Sequence, residues 1–303
     1  MSFHIAVTDL GYGDSGKGIL TARLAATNKF KLVVKAAGGC QCAHNVVTED
    51  GRHFTFSQFG SGTFSGIPTF LAKDFMVDPF SLVREAEGLQ LVGVEKPLDL
   101  MFISWNALLV TPYHAALNRW EEDQRGEGRH GSTGRGIGVT ARYALENPEA
   151  ALIVGDIHDS MNLYPKWYAF RDWVTAQGVP EHMLMSVPTL YEKYYYKIPD
   201  DFRIVGPGFF NATFLYNRVI FEGSQGVLLD EDYGFHPNTT WSHTNDHNAH
   251  ITAESIAKSD LANAPSRPII TKVIGVTRTY GTRHGFGPFV TEFTIASAAL
   301  GSQ

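Results

Sequence analysis

Short apolar, β-branched runs alternate along the chain with amphipathic stretches. Ile5-Ala6-Val7 predicts a first strand, a Gly-rich stretch follows, the spacing over 19–26 predicts a helix, and Leu32-Val33-Val34 predicts a second strand. The opening is therefore β-loop-α-β. Later runs at Leu100-Met101-Phe102-Ile103, Ala151-Leu152-Ile153-Val154 and Val219-Ile220-Phe221 predict buried strands, and helical periodicity covers 80–89, 115–124, 161–177 and 249–261. Strands alternating with helices imply an α/β fold with a largely parallel central sheet, with ligands at the carboxyl ends of its strands. No internal repeat or Pro/Ser-rich linker divides the sequence, so one elaborated domain over 1–303 is expected.

The chain has 303 residues, 44% hydrophobic and 18% charged, enough to bury a large core. No apolar run approaches the ~18 residues of a membrane span, and Met1-Ser2-Phe3-His4 lacks the features of a leader, which predicts a cytoplasmic protein without membrane association. Cys40 and Cys42 are one residue apart and offer no disulfide framework. A net charge of −6 excludes an extended nucleic-acid surface, so any phosphate must be held in a local pocket.

Such a pocket is written in Gly11-Tyr12-Gly13-Asp14-Ser15-Gly16-Lys17-Gly18, between the first strand and the first helix. Glycines let backbone approach an anion, the helix start supplies N–H groups and positive dipole, and Lys17 adds charge. The glycine spacing matches the dinucleotide fingerprint, yet no acidic residue closes the second strand, which ends at Lys35-Ala36-Ala37-Gly38. It also matches a P-loop, but Gly18 stands where a Ser or Thr would bind Mg²⁺, leaving Asp14 as the nearby metal ligand. A plain strand-to-helix turn would need neither the lysine nor the carboxylate.

Five collinear segments resemble the adenylosuccinate synthetases. Gly13-Asp14-Ser15-Gly16-Lys17-Gly18 is similar to that family's Gly-Asp-Glu-Gly-Lys-Gly, and Gly38-Gly39-Cys40-Gln41-Cys42-Ala43-His44-Asn45 to its Gly-Gly-x-Asn-Ala-Gly-His-Thr. Ser132-Thr133-Gly134-Arg135-Gly136-Ile137-Gly138 resembles Thr-Thr-Gly-Arg-Gly-Ile-Gly, and Phe221-Glu222-Gly223-Ser224-Gln225-Gly226 through Asp232 resembles Phe-Glu-Gly-Ala-Gln-Gly-x-Leu-Leu-Asp-x-Asp. The fifth runs from Gly275 to Glu292, with Tyr280, Thr282-Arg283 and Gly287-Pro288-Phe289.

The resemblance implies a P-loop-like synthetase fold and a two-step ligase reaction that is usual for IMP, GTP and L-aspartate: O6 takes a phosphoryl group, then the aspartate amine displaces phosphate. It implies Asp14 as the base at N1, and His44 and Gln225 as donors to the transferring phosphoryl group. Gly13, Ser15, Gly16, Lys17, Gly18, His44 and Asn45 would hold the nucleoside triphosphate. Asp14, Ser15, Gln41, Ser132, Thr133, Gln225 and Thr240 would hold the purine monophosphate. Mg²⁺ would sit on Asp14 and the Ala43 carbonyl, and the enzyme would be a homodimer.

Bland readings stand beside these. His44 could be an ordinary loop residue and Gln225 a buried amide completing a turn. Cys40, Cys42 and His44 form only part of a tetrahedral metal set, and His243, Asp246, His247 and His250 could bind zinc or simply start a helix. A non-catalytic nucleotide-binding homologue and a dinucleotide-dependent oxidoreductase are the rival functions. Retention of Asp14 disfavours the first, and Lys17 with the missing acidic residue disfavours the second.

Two departures from the family pattern matter. Ser15 replaces its Glu and leaves room for a C2 amino group, as in the viral 2-aminoadenylosuccinate synthases. Those convert dGMP and aspartate, with ATP or dATP, to N6-succino-2-amino-2′-deoxyadenylate for 2-aminoadenine DNA. The expected setting is then the host cytoplasm. After Glu292 only eleven residues remain, without the family's Arg-rich aspartate loop, so the C-terminal part of the fold is expected to be short or missing and the aspartate ligands stay unassigned.

Overall fold

The computed structural model describes residues 4–185, 202–206, 209, 218–258 and 270–289. Its centre is a seven-stranded sheet of order β7-β6-β5-β2-β8-β1-β9, in which every strand pair is parallel. The strands are β1 (His4–Asp9), β2 (Phe30–Lys35), β5 (Thr69–Leu71), β6 (Met101–Ser104), β7 (Arg203–Val205), β8 (Arg218–Glu222) and β9 (Ile270–Val276). A separate antiparallel hairpin pairs β3 (His44–Val47) with β4 (His53–Phe56). Helices are α1 (Lys17–Ala26), α2 (Pro79–Leu91), α3 (Pro112–Gln124), α4 (Ile137–Glu146), α5 (Ser160–Ala176), α6 (Glu181–Leu184) and α7 (His247–Lys258).

Side-chain alternation gives the central strands two buried faces, as a parallel sheet requires. Ile5, Val7, Val33 and Ile220 pack with Ala25 of α1, while Ala6, Leu32, Val34 and Phe221 pack with Ala249 and Ala253 of α7. A larger core joins Leu71, Met101 and Ile103 to Leu82 and Leu89 of α2, Leu117 of α3 and Phe170 and Val174 of α5. Helix starts follow local chemistry: Asp78 accepts from Ser81 N at 3.1 Å ahead of Pro79, and Asp159 accepts from Met161 N at 3.0 Å.

The largely parallel α/β architecture is as expected, with one element corrected. In Ala151-Leu152-Ile153-Val154 all but the half-buried Ile153 are buried, but the run joins no strand of the sheet. Its backbone bonds to the 105–109 loop, through Leu109 N to Leu152 O and Val154 N to Ala107 O, and a 3₁₀ turn begins at Val154. A short apolar run reports burial and not the hydrogen-bond partner. The last helix is described as far as Lys258, so 259–261 of its expected span lie outside the described residues. Among the described residues, no helix is long and apolar enough to cross a membrane.

Candidate active site

Adjacent strands β2, β8 and β1 end at Lys35, Glu222 and Asp9, and the loops that continue them converge. The Gly-rich loop follows β1. Gly13 has φ 112° and backs onto Gln225, since a Cβ there would lie 3.6 Å from the Gln225 backbone. Gly226 fits even more tightly, because its Cβ would fall 2.2 Å from Gly11 O. Gly38, after β2, would clash with Ser224, and its N–H donates to Ser242 Oγ at 2.9 Å. Three of the five family-like segments thus meet at the carboxyl edge of the sheet, where open parallel sheets bind ligands.

Asp14 has φ 62°, a left-handed conformation uncommon outside glycine. Its Oδ2 is 2.8 Å from His284 Nε2. Lys17 is buried and paired with Asp9 Oδ2 at 3.1 Å. Gly16 precedes α1 in a left-handed conformation, and no side chain caps the helix. The first turn of α1 therefore keeps N–H donors for an anion.

His44, at the start of β3, is buried, with Nδ1 2.7 Å from Glu222 Oε1. Glu222 also accepts from Ser61 N at 3.0 Å and from Ser61 Oγ. Burial raises the Glu222 pKa, but His44, Lys35 and Ser61 overcome it and hold the carboxyl at about 2. Burial lowers His44 against the pull of Glu222. The resting pair is an ionised Glu222 accepting from the Nδ1–H of a neutral imidazole, which fixes the ring.

Among the described residues, two amide side chains carry a buried oxygen without a partner: Gln41 Oε1 and Gln225 Oε1. Buried acceptors are rarely left so, and each lies on a segment of the convergent loops. Gln225 takes φ 51°, held by the close packing of Gly13 and Gly226. Thr240 approaches the same loop through its N–H to Leu229 O at 2.8 Å. Ser132 Oγ accepts from Asn118 Nδ2 at 3.0 Å, and Thr133 beside it is exposed. Gly131 stacks on Gly285, linking this loop to the segment that carries His284.

Asn45 is set apart. It alternates with His44 along β3 and is exposed, and its Oδ1 accepts from Thr55 Oγ1 at 2.9 Å across the hairpin. The metal alternatives do not assemble either. Cys42 Sγ bonds Ser224 Oγ at 3.0 Å, and Cys40 packs with Met76, Val110 and Ile137, where burial pushes its thiol pKa up. His250 pairs with Asp246 at 3.0 Å while His243 turns to Glu231 and Asp232. His243 does come together with Asp230 and Asp232, but the Asp230 carboxylate is filled by N–H donors from Asp232, Tyr233, Thr244 and Asn245.

The carboxylate of Asp14 and the carbonyl of exposed Ala43 are hard oxygen donors of the kind Mg²⁺ prefers, so these residues fit such an ion. Sequence reasoning missed Asp9, Ser61, Glu222 and His284. Asp9 and Glu222 were visible as carboxylates closing strands. Ser61 and His284 carry no local signal, because only tertiary packing brings them here.

Residues 6–302 match the family described as Adenylosuccinate synthetase. The adenylosuccinate synthetase of Thermobifida fusca is 34% identical over 298 residues, covering 95% of this chain and 65% of that protein. That of Halothermothrix orenii is 31% identical, covering 93% and 63%. The chain therefore spans a little under two thirds of these relatives. In fold it is similar to a fully ligated adenylosuccinate synthetase from Plasmodium falciparum, with TM-score 0.76, 22% identity, and 96% of this chain and 65% of that one covered. It is also similar to the succinoaminodeoxyadenylate synthetase of cyanophage S-2L bound to dGMP and dATP, with TM-score 0.59, 18% identity, and 93% and 65% covered. With a family match across nearly its whole length and the family-like loops converging on one sheet edge, the chain belongs to the adenylosuccinate synthetase family.

Proposed function

We propose that this chain acts in joining L-aspartate to C6 of a 6-oxopurine nucleoside monophosphate, driven by phosphoryl transfer from a nucleoside triphosphate, and that the monophosphate is dGMP with ATP or dATP as donor. The observation that carries the ligase reading is the buried, unpartnered Gln225 amide oxygen, held against the loop that presents Asp14. A purine edge with N–H groups supplies the donor this oxygen lacks.

The purine O6 is a weak nucleophile until N1 gives up its proton, and in this reading Asp14 receives it. O6 then bonds the γ-phosphorus as the bond to the nucleoside diphosphate breaks. Gly16, Lys17 and Gly18 hold the triphosphate at the start of α1, and the Gln225 amide N–H and His44 face the developing charge. Glu222 favours a second proton on His44 as negative charge gathers beside it. Asp14 and the Ala43 carbonyl would hold Mg²⁺, whose charge offsets that of the phosphate oxygens. In the second step the aspartate amine forms the C6–N bond, loses a proton, and inorganic phosphate departs.

The dGMP reading is supported by Ser15, whose small side chain leaves the C2 side of the purine uncrowded, and by likeness in fold to a cyanophage protein bound to dGMP and dATP. The second reading, IMP with GTP, is favoured by the bacterial relatives, which are adenylosuccinate synthetases. Phosphate release measured with dGMP, ATP and aspartate, against IMP, GTP and aspartate, decides between them. Release dependent on both aspartate and a monophosphate is expected, with the dGMP mixture faster; release from neither mixture overturns the ligase reading.

A further inference from the structure

We propose that Asp9 is a positioning residue that assembles the triphosphate loop, and Asp14 within it, before any nucleotide arrives. The inference rests on the reading of this loop as the triphosphate cradle. Asp9 ends β1 and is fully buried. Its Oδ1 accepts from Gly11 N at 2.9 Å and Gly13 N at 3.3 Å, and its Oδ2 accepts from Ser15 N at 2.9 Å and Lys17 Nζ at 3.1 Å. Four donors from four loop residues thus close on one carboxylate.

That arrangement resembles a phosphate bound in a loop, with the anion supplied by the protein itself. Converging N–H groups and an ammonium would repel one another around an empty centre, and an internal anion removes that penalty. The carboxylate in turn needs them, since a buried charge without partners is strongly destabilising. Burial raises its pKa, while Lys17 and the N–H groups of Gly11 and Ser15 more than reverse this and keep it ionised.

The bonds also bracket Asp14. Gly13 N and Ser15 N, on either side of it, are both tied to Asp9, and Asp14 between them is held at φ 62°. A non-glycine residue stays in that region when its surroundings over-determine it. Asp9 takes the loop's early N–H groups and leaves those of Lys17 and Gly18, at the start of α1, for phosphate oxygens. It never touches the reacting atoms and acts through Lys17 and Asp14.

Amide exchange in the nucleotide-free protein, read by NMR at Gly11, Gly13 and Ser15, tests the first half. Protection of at least about 100-fold over an unstructured chain is expected, little changed by AMP-PNP or GMP-PNP with Mg²⁺. Free exchange in the nucleotide-free protein overturns the proposal. Asp9→Asn tests the second half, because its NH₂ would face Ser15 N and Lys17 Nζ in place of an acceptor. The three amides should exchange at least tenfold faster and the dissociation constant of the triphosphate analogue should rise at least tenfold, a larger rise than that for dGMP or IMP. Analogue binding within threefold of wild type overturns it. Should Asp9→Asn fail to fold, Asp9→Glu, which keeps the charge and displaces it by one methylene, must show the same split. Exchange and binding need no turnover, so failure of the ligase reading leaves these measurements interpretable.

Discussion

Gly18 backs directly onto His44: a Cβ at Gly18 would lie 2.7 Å from His44 Cβ and 3.1 Å from Ser61 Oγ. The position at which a P-loop carries its metal-binding hydroxyl is therefore closed by the Cβ of His44. Loop and histidine can hold their relative placement only while residue 18 has no side chain.

Gly18→Ala should consequently push His44 off Glu222. Overpacking of this kind costs about 1–3 kcal/mol. We expect a lowered melting temperature and a kcat at least about 100-fold below wild type, the size of effect typical for a misplaced donor. A kcat within threefold of wild type would show that His44 does not act on the phosphoryl group.

Glu222→Gln keeps the shape of the side chain and removes its charge, so His44 loses the partner that orients it and favours its imidazolium. Steady-state kinetics should show kcat down by about 10–100-fold with KM for the triphosphate within threefold, as for a group acting mainly in the transition state. A change confined to KM would make Glu222 a binding element.

Asp14→Asn is nearly isosteric and cannot take the N1 proton. Turnover should fall by more than about tenfold while the monophosphate still binds in titration calorimetry. A smaller loss removes Asp14 from the role of base.

Ser15→Glu fills the space expected to receive the C2 amino group. Its kcat/KM for dGMP should drop by about 10–100-fold relative to that for IMP, corresponding to about 1–3 kcal/mol of discrimination. Equal losses on both substrates would leave Ser15 without a part in base selection.

Stability should depend on pH through buried histidines. His114 accepts from Thr111 N at 3.0 Å beneath Phe170, and burial lowers its pKa to about 3; burial likewise lowers His4 to about 4. Both lie below the ordinary 6.5, so the unfolded chain binds more protons under that pH. Stability is complete above pH 6.5 and should decline as pH falls toward 4, by up to about 1.4 kcal/mol per unit for each histidine. Melting temperatures from pH 7.5 to 4.5 should show the decline, and His114→Gln should flatten it.

The sequence by itself determined the β-loop-α-β opening and the parallel α/β class and pointed to a candidate phosphate loop, because strand alternation, helical spacing and the chemistry of such a loop are local properties. Gly13, Asp14 and Lys17 announce themselves within a few residues of one another, whereas Gln225 is singled out only by resemblance to the family. The same local logic misassigned Ala151-Leu152-Ile153-Val154, whose burial it registered but whose backbone partners lie in the 105–109 loop. Only tertiary structure decided which groups serve those residues. Ser61 reaches Glu222 across 161 positions, Glu222 reaches His44 across 178, and His284 meets Asp14 from the far end of the described chain. Even Asp9, five residues from Asp14, became visible only once the loop closed over it. Such contacts are set by which strands lie side by side in the sheet, and β8 lies between β2 and β1 because both of its faces must be buried, an outcome that no local pattern specifies.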